Sequence, residues 1–456
     1  MKYLIIYAML IVPLMAQSNY TLEWADTVNL SSIDNSNGIA VKGGRVYTVG
    51  YFGDIWTNLD ICLIEYDTSG SLLRIDTLNI GRYDYGTDVA VDNNGNIYVA
   101  GVLAQGTNYN YGIIKLDPDL NIVWIDTIPN GLDPYFQCHL TLDPDGNVYA
   151  AGNIVTGNLN IFVKKISPSG STVWSQTFDY GHDDDIMAIT YSNTGYVYIA
   201  GKSNNGSDDD IFLGKVSASD GHMQWYKTID YGADDQAWGV AVDNSGAPYI
   251  AGFVHQNSLK NVFLAKIDPT YSTVLWSTTY NGGRNDWANG LAIDDSGNLF
   301  LTGGSENAHN ADLIVLEYTS NGSLVWADTI DNGHGDSGHD IAIDPQGNLY
   351  VTGITQLSNR DILNLKYQKS NTGVGEHAVF SPYFVKPSCN AGKLIISYNA
   401  PAHSTLYVIN AASQILNKRT VAGKGSLILR NLPAGIYGVY IAGKAYHGFK
   451  KAIIVR

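Results

Sequence analysis

The sequence predicts an all-β protein: a seven-bladed β-propeller of four-stranded blades, closed by its own N-terminal strand, followed by a small Ig-like β-sandwich. Three observations predict it. The first is composition. The chain has 456 residues, 45% hydrophobic, with 48 Gly and 31 Tyr, and its acids are nearly all Asp. Asp, Asn and Gly belong in tight turns and Tyr in strands, and no long stretch past Gln17 repeats apolar residues every 3.6 positions. The second is a repeat. "GNIYVAG" ending at Gly101 recurs as "GNVYAAG", "GYVYIAG", "GAPYIAG", "GNLFLTG" and "GNLYVTG", ending at Gly152, Gly201, Gly252, Gly303 and Gly353, with a weaker "GRVYTVG" ending at Gly50. A period near 50 residues with four strand-like runs in each marks a propeller blade. The third is a displaced strand. The outer-strand signature Trp-x-x-Thr follows five repeats, Arg74 replaces Trp in another, and the last repeat lacks it; the missing copy, Trp24/Thr27, stands at the chain's start.

The elements follow in order. Residues 1–16 read as a signal peptide: Lys2, then an apolar run from Tyr3 to Met15 too short to span a bilayer, then Ala16. No later segment reads as a membrane span. Residues 17–368 hold the propeller. Within one period, "NGLAID" leads through "DDSGN" to "NLFLTG", then through a variable loop to "DLIVLEY", then through "TSNGS" to "LVWADTI". The Asp-x-x-Gly turns suit a type I turn with a bulge. Small inner-strand residues, among them Ala40, Ala90, Ala241, Ala292 and Ala342, fit strands crowded round an axis. Thr21 to Val28 is expected to pair with the third strand of the last blade. Residues 369–386 read as a linker and 387–456 as the sandwich. The charge changes at this boundary. Residues 17–376 carry all 43 acids against 16 bases, whereas 377–456 carry ten Lys/Arg and no acid. Such acidity excludes nucleic acid as a partner of the propeller. Three widely spaced Cys (Cys62, Cys138 and Cys389) make no disulfide framework, and Cys62 and Cys138 read as buried thiols.

The D-A-x-D-x-x-G-N-x-Y-V-A-G run, with the G-x-x-x-W run after it, resembles the seven-bladed β-propeller repeat (SBBP) of bacterial exported proteins, over roughly residues 20–368. The first blade departs from it, with Lys42-Gly43-Gly44-Arg45 at its turn. The tail, through Leu432-Pro433-Ala434-Gly435-Ile436-Tyr437, Gly443, Lys450-Lys451 and the final "IIVR", resembles the C-terminal sorting domain of type IX secretion; Pro387-Ser388-Cys389 stands where that family has Pro-Asn-Pro. These resemblances imply a monomer secreted or displayed on a bacterial surface, exported by the type IX machinery.

Chemistry is less legible. Asp34, Asp84, Asp184, Asp235, Asp286 and Asp336, with Tyr135 in the remaining copy, ring one rim. They either bind a cation or polyol or cap their own crossovers. Aromatics beside them (Tyr83, Tyr85, Tyr135, Phe136, Tyr180, Tyr231, Trp238 and Trp287) either stack on sugars or pack between blades. No nucleophile elbow and no zinc motif occurs; His334 and His339, the near pair, lack an acidic third ligand at metal spacing. No catalytic or metal residue is assigned, and no cofactor beyond a Ca²⁺ bridge to a ligand. The expected function is a non-catalytic binding scaffold for a glycan or protein. Its ligand face comprises Tyr83, Tyr180, Asp184, Asp235, Trp238, Asp286 and Trp287. The alternative is a secreted carbohydrate-active hydrolase or lyase using the Asp-rich face.

Overall fold

The computed structural model describes residues 20–456 except 55–57, 106–107, 130–136, 357–358, 371–383, 391–392, 411–414, 430–434, 444–445 and 455–456. The expected signal peptide, Tyr135 and Phe136 lie outside the described residues. The chain falls into two compact units, the first ending at Gly375 and the second starting at Glu376. All described elements are strands; among the described residues no helix is long and apolar enough to cross a membrane.

In the first unit five repeats each form an antiparallel four-stranded sheet with neighbours in chain order, as in Asp184–Ser192, Tyr196–Asn204, Asp209–Ser217 and Met223–Ile229, and the first and last repeats share an eight-stranded sheet. The repeated D-x-x-G-N-x-Y phrase makes the turn between the first two strands. Asp92 shows how: Oδ1 accepts the amides of Asn94 and Asn96 at 2.8 and 2.9 Å, and Oδ2 accepts Asn96 Nδ2 at 2.7 Å and the Tyr98 hydroxyl at 3.2 Å. Gly95 takes φ 82°, which an L side chain resists. Asp143 and Asp344 bind their own Asn and Tyr in the same way.

The outer Trp clamps one sheet to the next. The indole N–H of Trp124, Trp174 and Trp225 donates to the carbonyl of Pro168, Ala218 and Pro269 at 3.1, 3.2 and 3.1 Å, always 44 residues on. Arg74, the exception in the repeat, reaches the Asp119 carbonyl with Nη1 at 3.2 Å and so bridges the same gap.

The strand Tyr20–Val28 pairs antiparallel with Arg360–Lys369, from Tyr20↔Lys369 to Val28↔Ile362. It thus completes the sheet of Asp336–Ile343, Leu349–Gln356 and Arg360–Lys369, and one parallel bridge, Ile33↔Arg360, links that sheet to the first. Trp24 donates to Thr68 O at 3.5 Å, the place its counterparts take. Tyr20 is buried between Phe300 and Trp326, and its hydroxyl donates to Gly347 O at 3.0 Å. Cys62 and Cys138 are buried free thiols.

The second unit is a five-stranded antiparallel sheet: Phe384–Asn390, Lys393–Asn410, Ile415–Leu429, Gly435–Gly443 and Tyr446–Ile454. The runs "KLIISY" and "STLYVIN", expected as separate short strands, are one continuous strand. Pro401 does not interrupt it because it falls in the register shift between Ala400 and Ser404, where no ladder N–H is required.

The pairing of Tyr20–Val28 yields a graded prediction. Tyr20→Ala, which empties a buried aromatic site, should cost about 3 kcal/mol, whereas Leu22→Ala, on an exposed side chain of the same strand, should cost under about 0.5 kcal/mol. Urea denaturation of the two variants checks this.

Candidate functional site at the mouth of the channel

The inner strands share an irregularity absent from any single repeat's sequence. Pairing slips by one residue between Ser36 and Gly38, Gly86 and Asp88, Ile186 and Ala188, Ala237 and Gly239, Ala288 and Gly290, and Gly338 and Asp340. Each slip is a β-bulge three residues past the crossover Asp. The repeated Gly that closes each "YVAG" phrase faces it. A Cβ on Gly201, Gly252, Gly303 or Gly353 would sit 1.9–2.0 Å from the carbonyl oxygen of Asp185, Gln236, Trp287 or Ser337. Only glycine admits so close a backbone. The glycine repeat is therefore the trace of the bulge.

A bulge re-aims one side chain. The extra residues are Asn37, Thr87, Met187, Trp238, Asn289 and His339, five residue types in six copies. Asn37, Met187, Trp238, Asn289 and His339 line a cavity of about 370 Å³ together with Asn35, Gln137, His139 and Asp185. Deeper along the inner strands a second cavity, of about 180 Å³, reaches Asp88 and Asp340.

Neighbouring strands hold this wall by side-chain bonds. Asn37 Nδ2 donates to Gly86 O at 2.7 Å and Asn289 Nδ2 to Gly338 O at 2.6 Å. The amide of Leu140 donates to Asp88 Oδ2 and that of Ile39 to Asp340 Oδ2, both at 2.9 Å. His339 Nδ1 lies 2.6 Å from Ser36 O. A carbonyl only accepts, so Nδ1 carries the proton and Nε2 keeps its lone pair. Three buried atoms at the cavity have no protein partner: Asn35 Oδ1, His139 Nε2 and Asn289 Oδ1. Buried polar atoms left unpaired cost stability, so they mark a place for a polar ligand.

Burial sets the charges. It raises Asp88 to about 8, with Asp340 adding to the rise, and Asp340 itself to about 6. It lowers His139 to about 4 and also lowers His339. His139 Nδ1 and Asp88 Oδ2 are 3.9 Å apart, but between about pH 4 and pH 8 both groups are uncharged, so they form no ion pair. Asp185 is raised to about 7 by burial, against the pull of Lys202. Near neutral pH the mouth thus holds two neutral imidazoles and a protonated Asp88, with Asp340 largely ionised.

Of the residues expected on the ligand face, Trp238 alone lines this cavity. Its indole N–H donates to Gln236 Oε1 at 2.8 Å and its ring meets Phe253 edge-on. Asp184, Asp235 and Asp286 are fully buried and accept the amides of Tyr180, Tyr231 and Gly282 at 3.2, 2.7 and 2.6 Å. Asp34, Asp84 and Asp336 accept crossover amides likewise. Tyr180 packs on Phe212 and Tyr226, Trp287 covers Gly304, and Tyr83 lies under Arg82. The histidines were invisible as a pair because 200 residues separate His139 from His339. The legible signal was the variability of one column beside an unvarying glycine.

The β-propeller repeat family SBBP matches residues 78–102 and 331–356. The first unit carries β-propeller repeats. No curated protein matches the chain. Among solved structures, the polysaccharide lyase Uly1 is similar with a TM-score of 0.51 at 13% identity, over 77% of this chain and 100% of that one. A PL25 ulvan lyase bound to -[GlcA(1-4)Rha3S]- follows at 0.49, 12% identity, 74% and 95%. The β-propeller domain of the Trilobed protease from Pyrococcus furiosus, of open velcro topology, gives 0.45, 10% identity, 75% and 99%. At 13% identity the likeness to Uly1 is one of fold alone.

The expectation of a non-catalytic scaffold is corrected here. The architecture that spans Uly1 end to end is one on which a polysaccharide lyase is built, so the carbohydrate-active alternative is the better supported. The scaffold reading rested on the absence of catalytic motifs in the sequence. Acid–base groups brought together from separate blades leave no such motif.

The two kinds of pKa shift act on stability with opposite signs. Asp88, raised when folded, favours the fold fully below about pH 4 and loses that contribution as pH rises through about 8. The histidines, lowered when folded, favour it above their ordinary value near 6.5 and lose that contribution as pH falls, for His139 through about 4. Above the histidine range, urea midpoints should therefore fall from about pH 7 to about pH 9, and fall less in Asp88→Asn.

Proposed function

We propose that this protein is a secreted polysaccharide lyase acting on a uronate-containing polysaccharide at the channel mouth. The observation that carries the reading is the set of unpartnered buried atoms, Asn35 Oδ1, His139 Nε2 and Asn289 Oδ1, round a cavity that also holds a neutral His339. The likeness to a polysaccharide lyase at the level of fold supports the reaction class.

Elimination removes the proton at C5 of a uronosyl unit, breaks the C4–O bond, forms the C4=C5 double bond and returns a proton to the leaving oxygen. His339 is the base: its Nδ1–H is pinned to Ser36 O and its Nε2 lone pair is uncharged near neutral pH. Asp88, held protonated, is the acid, and the neutral His139 lies beside it. Gln137 supplies an amide for the carboxylate, and the bare Oδ1 atoms of Asn35 and Asn289 accept from hydroxyls. Trp238 offers a face for a sugar ring. Asp88, protonated near neutral pH, adds no repulsion of an anionic chain.

The same reading takes the first unit as a ring of seven blades closed by Tyr20–Val28. It takes residues 1–16 as a signal peptide and the acid-free tail as an Ig-like type IX sorting domain of a monomeric exported protein. Sequence resemblance and the charge break at the boundary support these assignments.

The test is incubation with uronate polysaccharides and detection of unsaturated uronate by ultraviolet absorbance. His339→Gln should lower kcat about a hundredfold or more. Activity should be bell-shaped in pH: the acid limb lies below the ordinary histidine value and the alkaline limb falls near 8, where Asp88 ionises. Release of saturated sugars instead would make the protein a hydrolase, and no release from any uronate polymer would end the reading.

A further inference from the structure

We propose that Asp312, Asp331 and Asp336 hold a divalent cation, Ca²⁺ by their chemistry, at one crossover of the propeller. The site is separate from the channel mouth and does not depend on the proposed activity.

One oxygen from each of the three carboxylates lies within 4.8 Å of the others. Asp312 and Asp336 are buried, at 8% and 1% exposure, while Asp331 is exposed. None of the ion pairs among the described residues includes any of the three. Three like charges so close, two of them out of water, call for a counter-charge.

The second observation is Asp312 Oδ1. It is buried and has no protein partner, while its Oδ2 takes Asn307 Nδ2 at 2.8 Å. The equivalent oxygen takes Asn29 Nδ2 at 2.8 Å at Asp361, and is bare at Asp60 and Asn261, where Asn79 and Asn281 stand at the place of Asp331. What sets the Asp312 crossover apart is charge: Asp331 adds a third carboxylate beside the bare oxygen, and one cation would satisfy all three. All three ligands are hard carboxylate oxygens, the donor type of Ca²⁺ and Mg²⁺. The partly exposed, loop-borne Asp331 suits the looser shell of Ca²⁺. Asp210, Asp230 and Asp235 repeat the composition at another crossover, but among the described residues only the first set converges.

The experiment is calorimetric titration of the EDTA-stripped full-length protein with CaCl₂, with melting curves in Ca²⁺ and in EDTA. The expected result is saturable Ca²⁺ binding and a rise in Tm. Asp331→Asn, at an exposed position, should bind one equivalent fewer and, in EDTA, melt no lower than stripped wild type. Asp312→Asn should also lose that equivalent. Absence of Ca²⁺ binding by the wild type, or an unchanged stoichiometry in Asp331→Asn, would overturn the site.

Discussion

Antiparallel pairing of Tyr20–Val28 with Arg360–Lys369 joins residues about 330 apart in the chain. The remaining sheets are local; each is made from one stretch of about 50 residues. Local sheets alone would stack as an open array with a bare strand at its end, a template for pairing with other chains. The N-terminal strand covers that edge. It also brings the first sheet beside the last, so that Ser36 meets His339 and Ile39 meets Asp340. The channel mouth depends on that closure, because its wall is a set of bonds between one inner strand and the next.

The second constraint is steric. Inner strands that crowd an axis admit small residues, and the bulge in each lets one side chain turn into the opening while the glycine opposite makes room for the displaced carbonyl. The scaffold thus repeats its backbone and varies a single column. Asn37, Met187, Trp238 and His339 occupy equivalent positions but have different chemistry. This is how a repeat protein builds an asymmetric site without breaking its framework. The crossover aspartates are the opposite case. They recur because each crossover needs its amides satisfied, and their carboxylates are committed to that task.

Electrostatics link the two levels. The propeller segment is rich in Asp, yet burial raises the carboxyls nearest the opening, and Asp88 stays protonated near neutral pH beside Asp340. The surplus acids lie in turns and crossovers, where backbone amides neutralise them locally. At Asp312, Asp331 and Asp336 three such carboxylates converge.

The architecture was legible because it rests on short-range rules applied over and over. Asp-x-x-Gly-Asn-x-Tyr specifies a turn whose every hydrogen bond lies within six residues, and Trp-x-x-Thr counts the outer strands, the stray copy at the N-terminus included. The buried thiols and the need for closure followed from the same periodicity. The tail was legible as alternating strands, but not the fusion of two of them across Pro401. The site was not legible. Its bulge depends on the partner strand's register, and its histidines, aspartates and amides come from repeats up to 300 residues apart. Their shifted ionisation depends on burial, which no residue carries by itself. The sequence by itself determined the strands, turns and blade period, because those follow from neighbouring residues; only the tertiary structure decided which side chains meet at the axis and in what charge state, because that depends on which strands closure brings side by side.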